Sequence, residues 1–322
     1  MLQQTRVEAV RSHYERFLER LPTVRDLASA DPEQVVALWS GLGYYRRARA
    51  LQAAARRIVE EHGAEVPDDR EALLALPGIG PYTAGALLSI AFQRSEPLVD
   101  GNVVRVLSRL FGIDDPPGGA RDRRTWSLAR ELVPAAVDPA RVVPAVSPGN
   151  WNQALMELGA LLCTPRSPSC AECPLASLCR AHREGRVEEL PRAAARRVPL
   201  DVELELLLVE SERGVLLLRR EERGRMARMW ELPTRERPGP VGTTRLWPAA
   251  HALEFRVEAG RLARLTHAIT HHRIVAAVHR ARLARPLTAV EATWARPDEL
   301  AGLGLTGLTR KALARTGSTT CR

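Results

Sequence analysis

Four cysteines crowd into 17 residues, as Cys163-x6-Cys170-x2-Cys173-x5-Cys179, in a chain whose only other cysteine is Cys321. Thiolates at that density suit one metal centre, and on spacing alone either a [4Fe–4S] cluster or tetrahedral zinc answers the pattern. A disulfide scaffold does not: 322 residues are far more than a stapled mini-domain needs, and neither a secretory leader nor a membrane span is expected. A second constellation is Leu76-Pro77-Gly78-Ile79-Gly80-Pro81-Tyr82-Thr83-Ala84. Gly78 and Gly80 lack the Cβ atoms that would block a close approach, so their backbone N–H groups can cradle a phosphate oxygen without reading base sequence. A plain helix–helix turn is the alternative for a bare Gly-x-Gly. Third is Asp100, in Val99-Asp100-Gly101-Asn102-Val103-Val104. It reads either as an ordinary helix N-cap or as a carboxylate that stabilises a developing positive charge or orients a water.

The elements that must position these groups divide in two. Apolar residues recur at helical spacing up to about residue 180 (Val7, Val10, Tyr14, Phe17 and Leu18; Val35, Val36 and Leu38; Leu51, Ala54 and Ile58), with breaks at Pro22, Gly41–Gly43, Gly63, Pro77–Gly80 and Pro116–Gly119. That half is predicted to be all-α, over residues 1–182. Residues 183–199 are charged and arginine-rich, and read as a linker or an exposed helix. From residue 200 to 322 the grammar changes: Val202–Leu206 alternates, Gly214–Leu218 and Ile274–Val278 read as buried strands, and Leu300–Ala314 reads as a helix, giving a smaller α+β domain.

Charge narrows the partner. The chain carries a net +9 and a pI near 10.1, which favours an acidic polymer, nucleic acid ahead of membrane. Arginine-rich codon usage accounts for part of this, since Lys311 is the only lysine among 47 Lys and Arg residues. The imbalance still has a chemical consequence, because a Schiff base needs an amine and none lies near the glycine turn.

Leu76-Pro-Gly-Ile-Gly80, Val99-Asp-Gly-Asn-Val103 and the cysteine run together resemble the helix-hairpin-helix DNA glycosylases with a [4Fe–4S] loop. Met1-Leu-Gln-Gln-Thr5, Gly41-Leu-Gly-Tyr44-Tyr45 and Asn152–Ala160 resemble the adenine glycosylases of the MutY family within that superfamily. The resemblance implies an all-α glycosylase domain followed by a Nudix-like α+β domain, with Cys163, Cys170, Cys173 and Cys179 holding a [4Fe–4S] cluster. It implies that Asp100 stabilises an oxocarbenium ion beside Tyr82 and Asn102, and that Gln153 and Glu157 lie near an extruded adenine. Gln3, Gln4, Thr5 and Tyr44 would contact or enter the duplex, Gly78 and Gly80 would hold its backbone, and Thr270 and His271 would face 8-oxoguanine. Lyases of the superfamily carry a catalytic lysine where this chain has Tyr82, so a monofunctional enzyme is expected, with an endonuclease III-like lyase as the disfavoured alternative. For Tyr45, helix packing is the plainer reading.

Two departures matter. The family's Phe-Ser-His is Ile269-Thr270-His271 here, which keeps a hydroxyl and an imidazole but loses an aromatic wedge. The family's catalytic glutamate lies two residues ahead of the methionine that is Met1, so the chain as written is expected to be crippled, either through a misplaced start or as a lesion-binding protein without chemistry. No glutamate-rich Nudix box is found, so magnesium-dependent pyrophosphate hydrolysis is not expected. The resemblance implies a monomer acting on double-stranded DNA that contains an adenine mispair, in a bacterial cytoplasm on the nucleoid.

Overall fold

The computed structural model describes residues 1, 7–140, 146–194, 198–221, 226–237, 254–284 and 291–317. Gln3, Gln4, Thr5 and Cys321 lie outside the described residues. In chain order the helices are α1 (Val7–Arg20), α2 (Val24–Ser29), α3 (Pro32–Leu38), α4 (Arg46–Glu61), α5 (Arg70–Ala75), α6 (Pro81–Ala86, continued by a π-helical turn Leu87–Ala91), α7 (Gly101–Phe111), α8 (Gly119–Val137), α9 (Pro148–Leu161) and α10 (Arg180–Arg183). The strands follow as β1 (Leu200–Leu208), β2 (Glu210–Ser211), β3 (Gly214–Arg219), β4 (Trp230–Glu231), β5 (Thr234–Glu236), β6 (Phe255–Val257), β7 (Ala263–Ile269), β8 (His272–Leu283) and β9 (Ala292–Ala295), and α11 (Gly307–Thr316) closes the series. All-α followed by α+β is the predicted order. No described helix is long and apolar enough to cross a membrane.

Packing makes two compact units, residues 1–59 with 197–322, and residues 60–196. In the first, β1 pairs in parallel with β8 (Leu204 opposite Ala276), flanked by β5 and β6, with β7 antiparallel to β8; a second sheet joins β2, β3, β4 and β9. The alternation predicted for β1 sends Val202, Leu204, Leu206 and Leu208 into one core with Ile274, Ala276, Val278, Val215, Leu217 and, from α11, Leu308, Ala312 and Leu313. Leu207, Leu216 and Leu218 face a second cluster with Phe255 and Trp294 packed against it. The helix read over Leu300–Ala314 is split. Thr306 caps α11 by accepting from the Thr309 N–H, and a separate short turn at Leu300–Gly302 precedes it. Helices α1–α4 share a core of Val10, Phe17, Leu21, Leu27, Val35 and Trp39. On α1 the apolar pattern covers two faces, and Val7, Tyr14 and Leu18 point outward.

The second unit is helical. Asp69 caps α5 by accepting from Ala72 N–H (2.8 Å), and Ser147 caps α9 ahead of Pro148. Bare glycine surfaces set the helix spacing: a Cβ on Gly85 would lie 2.1 Å from the Pro97 carbonyl oxygen, and one on Gly159 only 2.7 Å from Asn102 Cβ. The stretch that reads as a linker is held down well past residue 183. Leu190 is buried, Arg109 donates to its carbonyl (2.9 Å), and Arg186 and Arg192 both donate to Asp114 (2.8 and 2.6 Å). Those two guanidiniums hold the Asp114 carboxyl far below the ordinary carboxylate range.

Candidate active site and cysteine centre

Helix α5 ends at Leu76, whose carbonyl accepts from Ile79 N–H (3.2 Å), and Gly78 takes φ +78°, a left-handed value that a Cβ would disfavour. Gly80 then precedes α6, with Pro81 at its first position. The Gly78–Gly80 segment is therefore a true helix-hairpin-helix turn between α5 and α6, and Tyr82 follows directly on α6.

Asp100 is the N-cap of α7, as its plainer reading predicts. One carboxylate oxygen accepts from Val103 N–H (2.8 Å) and the other from the Asn102 side-chain amide (3.0 Å). Asp100 as a residue is partly buried, not sealed from solvent. Tyr82 belongs to the same neighbourhood. Its hydroxyl faces Met156 Sδ at 3.6 Å, and its pKa is pushed up, first by burial and then by the negative charge of Asp100. Met156 lies on α9 between Gln153 and Glu157, an exposed i,i+4 pair on one helix face; Gln153 donates back to the Gly149 carbonyl (3.1 Å).

Two residues that sequence reasoning passed over tie this cap to the cysteine loop. Arg105 donates to Asn102 Oδ1 (2.8 Å), the Gly159 carbonyl (2.6 Å) and the Cys163 carbonyl (2.7 Å). Arg109, one turn further on and 2% exposed, donates to Cys163 Sγ (3.3 Å) and to the carbonyls of Thr164, Pro165 and Leu190 (2.8, 3.3 and 2.9 Å). Their spacing from Asn102, at i+3 and i+7, puts all three on one face of α7. That spacing was the available signal, masked by the abundance of arginine.

The four cysteines line one shared, partly open cavity together with Arg109, Leu162 and His182. All four are free thiols. Burial and the other three cysteines together push the Cys170 thiol up, as expected for four sulfurs around a common space. Four soft donors around a cavity, with a buried guanidinium beside them to offset negative charge, fit a thiolate-bound iron–sulfur cluster.

In the other unit, Tyr44 is 59% exposed with φ +48°, and Arg47 stands between it and Trp39, its guanidinium 5.4 and 5.5 Å from the two rings. Tyr45 turns inward, its hydroxyl accepting from Gly41 N–H (3.4 Å), in keeping with a packing role. Thr270 and His271 form the two-residue turn between β7 and β8, flanked by the Ile269–His272 pair, with Thr270 at φ +55°.

Comparison with known proteins agrees with this geometry. Residues 1–131 match the HhH-GPD superfamily of base excision DNA repair proteins, and residues 163–179 match the iron–sulfur binding domain of endonuclease III. Residues 206–315 match the NUDIX domain, the α+β fold expected for that half. The match at 163–179 spans all four cysteines, so the HhH-GPD region is followed by an iron–sulfur centre rather than a zinc site. Relatives of known function are similar over more than half of the chain. The adenine DNA glycosylase of Rattus norvegicus is 52% identical over 196 residues (59% of this chain, 36% of that protein), and that of Homo sapiens 50% over 192 residues (59% and 33%). The adenine DNA glycosylase of Mus musculus is 41% identical over 279 residues (73% and 52%). The chain thus spans a third to about half the length of these relatives.

Proposed function

We propose that the protein is a monofunctional adenine DNA glycosylase of base excision repair, hydrolysing the N-glycosidic bond of adenine mispaired with 8-oxoguanine or guanine. The observation that carries this reading is the Asp100 cap. A carboxylate held by Val103 and Asn102 adjoins Tyr82, the residue that directly follows the hairpin where a lyase needs an amine. The described half of the chain that bears this site contains no lysine.

In this reading the hairpin N–H groups of the Gly78–Gly80 turn grip one DNA strand, and the target nucleotide leaves the stack. Tyr44, with Gln3 and Gln4, enters the gap, Thr5 contacts the DNA, and extrusion is easiest at a mispair, where pairing is weakest. Gln153 and Glu157 face the adenine. As the base departs, Asp100 stabilises the positive charge on the deoxyribose, with Asn102 fixing the carboxylate, and water completes hydrolysis to an abasic site. Thr270 and His271 read the opposing 8-oxoguanine by hydrogen bonds. Cys163, Cys170, Cys173 and Cys179 would hold the cluster, which supplies structural and electrostatic bracing for an arginine-rich loop and takes no chemical part. The functional division follows sequence order: a glycosylase domain over 1–182, a connector over 183–199 and a lesion-reading domain over 200–322. The protein acts as a monomer on double-stranded DNA, on the nucleoid of a bacterial cytoplasm.

Single-turnover excision on a duplex bearing adenine opposite 8-oxoguanine tests the proposal, with an extended version that carries a glutamate two residues ahead of Met1. Release of adenine without strand cleavage and without a borohydride-trapped adduct is expected. An extended protein that binds the duplex yet releases no base ends the reading.

A further inference from the structure

The Gly41–Tyr45 turn has a costly backbone. Gly41, Gly43 and Tyr44 take φ values of +108°, +68° and +48°, and the last is a left-handed conformation that a residue with a Cβ rarely holds unless its surroundings impose it. Tyr44 itself projects outward, so the restraint acts at the root of the turn. There, Trp39 Nε1 donates to the Gly43 carbonyl (3.2 Å), Leu42 N–H to the Trp39 carbonyl (3.1 Å), and the His13 ring meets the Ser40 carbonyl (2.9 Å).

One restraint comes from far along the chain. Arg310, on α11 of the NUDIX domain, donates to the Ser40 hydroxyl, and its other terminal nitrogen stands 3.8 Å from where a Gly41 Cβ would sit. The same unit brings the two segments together at two further places. Arg219 of β3 pairs with Glu33 of α3 at 2.7 Å while lying 5.4 Å from the Trp230 ring, and Gly304 lets the loop before α11 close on Val36, whose Cγ1 would be 2.8 Å from an added Cβ. Those two contacts join the segments away from the turn. The third falls on the residue immediately before the left-handed turn.

We propose that Arg310 is a positioning residue for Tyr44: α11 fixes the turn through Ser40, so that the domain assigned to lesion reading also sets the geometry with which Tyr44 meets the duplex. This rests on the reading of Tyr44 as the side chain that enters DNA. It makes mispair selectivity depend on a side chain that contacts neither the adenine nor its partner base.

The test compares Arg310→Ala, Arg310→Lys and Arg219→Ala with the unaltered chain, each confirmed folded by its thermal midpoint. Amide hydrogen exchange at Gly41 and Leu42 in the free protein reads the restraint directly. Relative affinity for a duplex with adenine opposite 8-oxoguanine against a matched duplex reads its consequence. Arg310→Ala is expected to speed exchange at those two amides and to lower the selectivity about tenfold, the scale of one charge-assisted hydrogen bond, with Arg310→Lys recovering part of both. Arg219→Ala, which weakens docking without touching Ser40, is expected to leave both amides unchanged. Unaltered exchange in Arg310→Ala, or equal acceleration in Arg219→Ala, overturns the assignment. Tyr44→Ala serves the parent reading: unchanged selectivity there removes the role of Tyr44 in DNA, while the exchange data still decide whether Arg310 holds the turn.

Discussion

Both oxygens of Asp100 are engaged, which makes its amide a more damaging replacement than size suggests. In Asp100→Asn the oxygen can still accept from Val103 N–H, but the new NH2 then faces the NH2 of Asn102, donor against donor. Relief requires Asn102 to rotate its amide, and that turns a donor toward Arg105, which now donates to Asn102 Oδ1 at 2.8 Å. The substitution thus removes the charge and also unseats the relay that fixes it. Single-turnover excision by an upstream-extended protein is expected to fall by about 10²–10³-fold, the scale of losing one preorganised electrostatic group, while the far-ultraviolet helix signal stays unchanged; base release at the original rate would contradict the role given to Asp100. The aspartate, the asparagine and Tyr82 were legible because they stand in short motifs. Arg105 and Arg109 were not, since their i+3 and i+7 spacing from Asn102 is lost among the many arginines of the chain.

At the scale of elements, contact between α7 and α9 depends on Gly159, which lies against Asn102 itself. Gly159→Ala would place a methyl 2.7 Å from Asn102 Cβ, so α9 must move or Asn102 must leave Asp100. Overpacking of this kind costs about 1–3 kcal/mol, and denaturant unfolding is expected to show that loss together with slower excision. In the other unit, β7 packs on α11 at His267, whose pKa is lowered, first by burial and then by the nearby Lys311. The unfolded imidazole takes up its proton near its ordinary value of about 6.5 and the folded one only at lower pH. The unfolded state therefore binds more protons in that window, and stability falls as pH drops below about 6.5. His267→Gln is expected to flatten that part of the stability–pH curve in thermal melts; an unchanged slope would show that another group carries it. The alternation of β1 and the runs in β3 and β8 were readable because one side chain in two reaches a core. The outward face of α1 and the split before α11 were not, since periodicity reports that a face is apolar and says nothing of what lies opposite it.

For the whole molecule, sequence order suggests a boundary near residue 182, whereas packing joins residues 1–59 with 197–322. The Ser40–Arg310 contact shows why composition cannot reveal this: its partners are 270 residues apart, and neither segment carries a local mark of the other. Loss of the iron–sulfur centre is felt first in the loop that carries the four cysteines. The cysteine loop is short of regular structure, with three-residue turns at Cys170–Glu172 and Ala176–Leu178 and the four-residue helix α10, so its hold falls largely to the cysteines, Arg105 and Arg109. Without the cluster, Arg109 remains buried beside a cavity that no longer holds compensating charge, and its bonds to Cys163, Thr164 and Pro165 weaken as the loop opens. Replacing Cys170 with serine, or stripping iron with a chelator, is expected to loosen the backbone around the already exposed Arg166, Arg180 and Arg183 so that trypsin cleaves there, and to weaken duplex binding by about tenfold or more, in line with loss of one or two phosphate contacts. The NUDIX domain shares no ligand with this centre, so tryptic sites on β1 and β8, such as Arg273 and Arg280, are expected to stay protected. Mapping the cleavage products by mass spectrometry separates the outcomes: an intact 163–183 segment in the iron-free protein would mean that the helices alone brace the loop, and cleavage spread evenly over both units would mean that the cluster supports the entire chain.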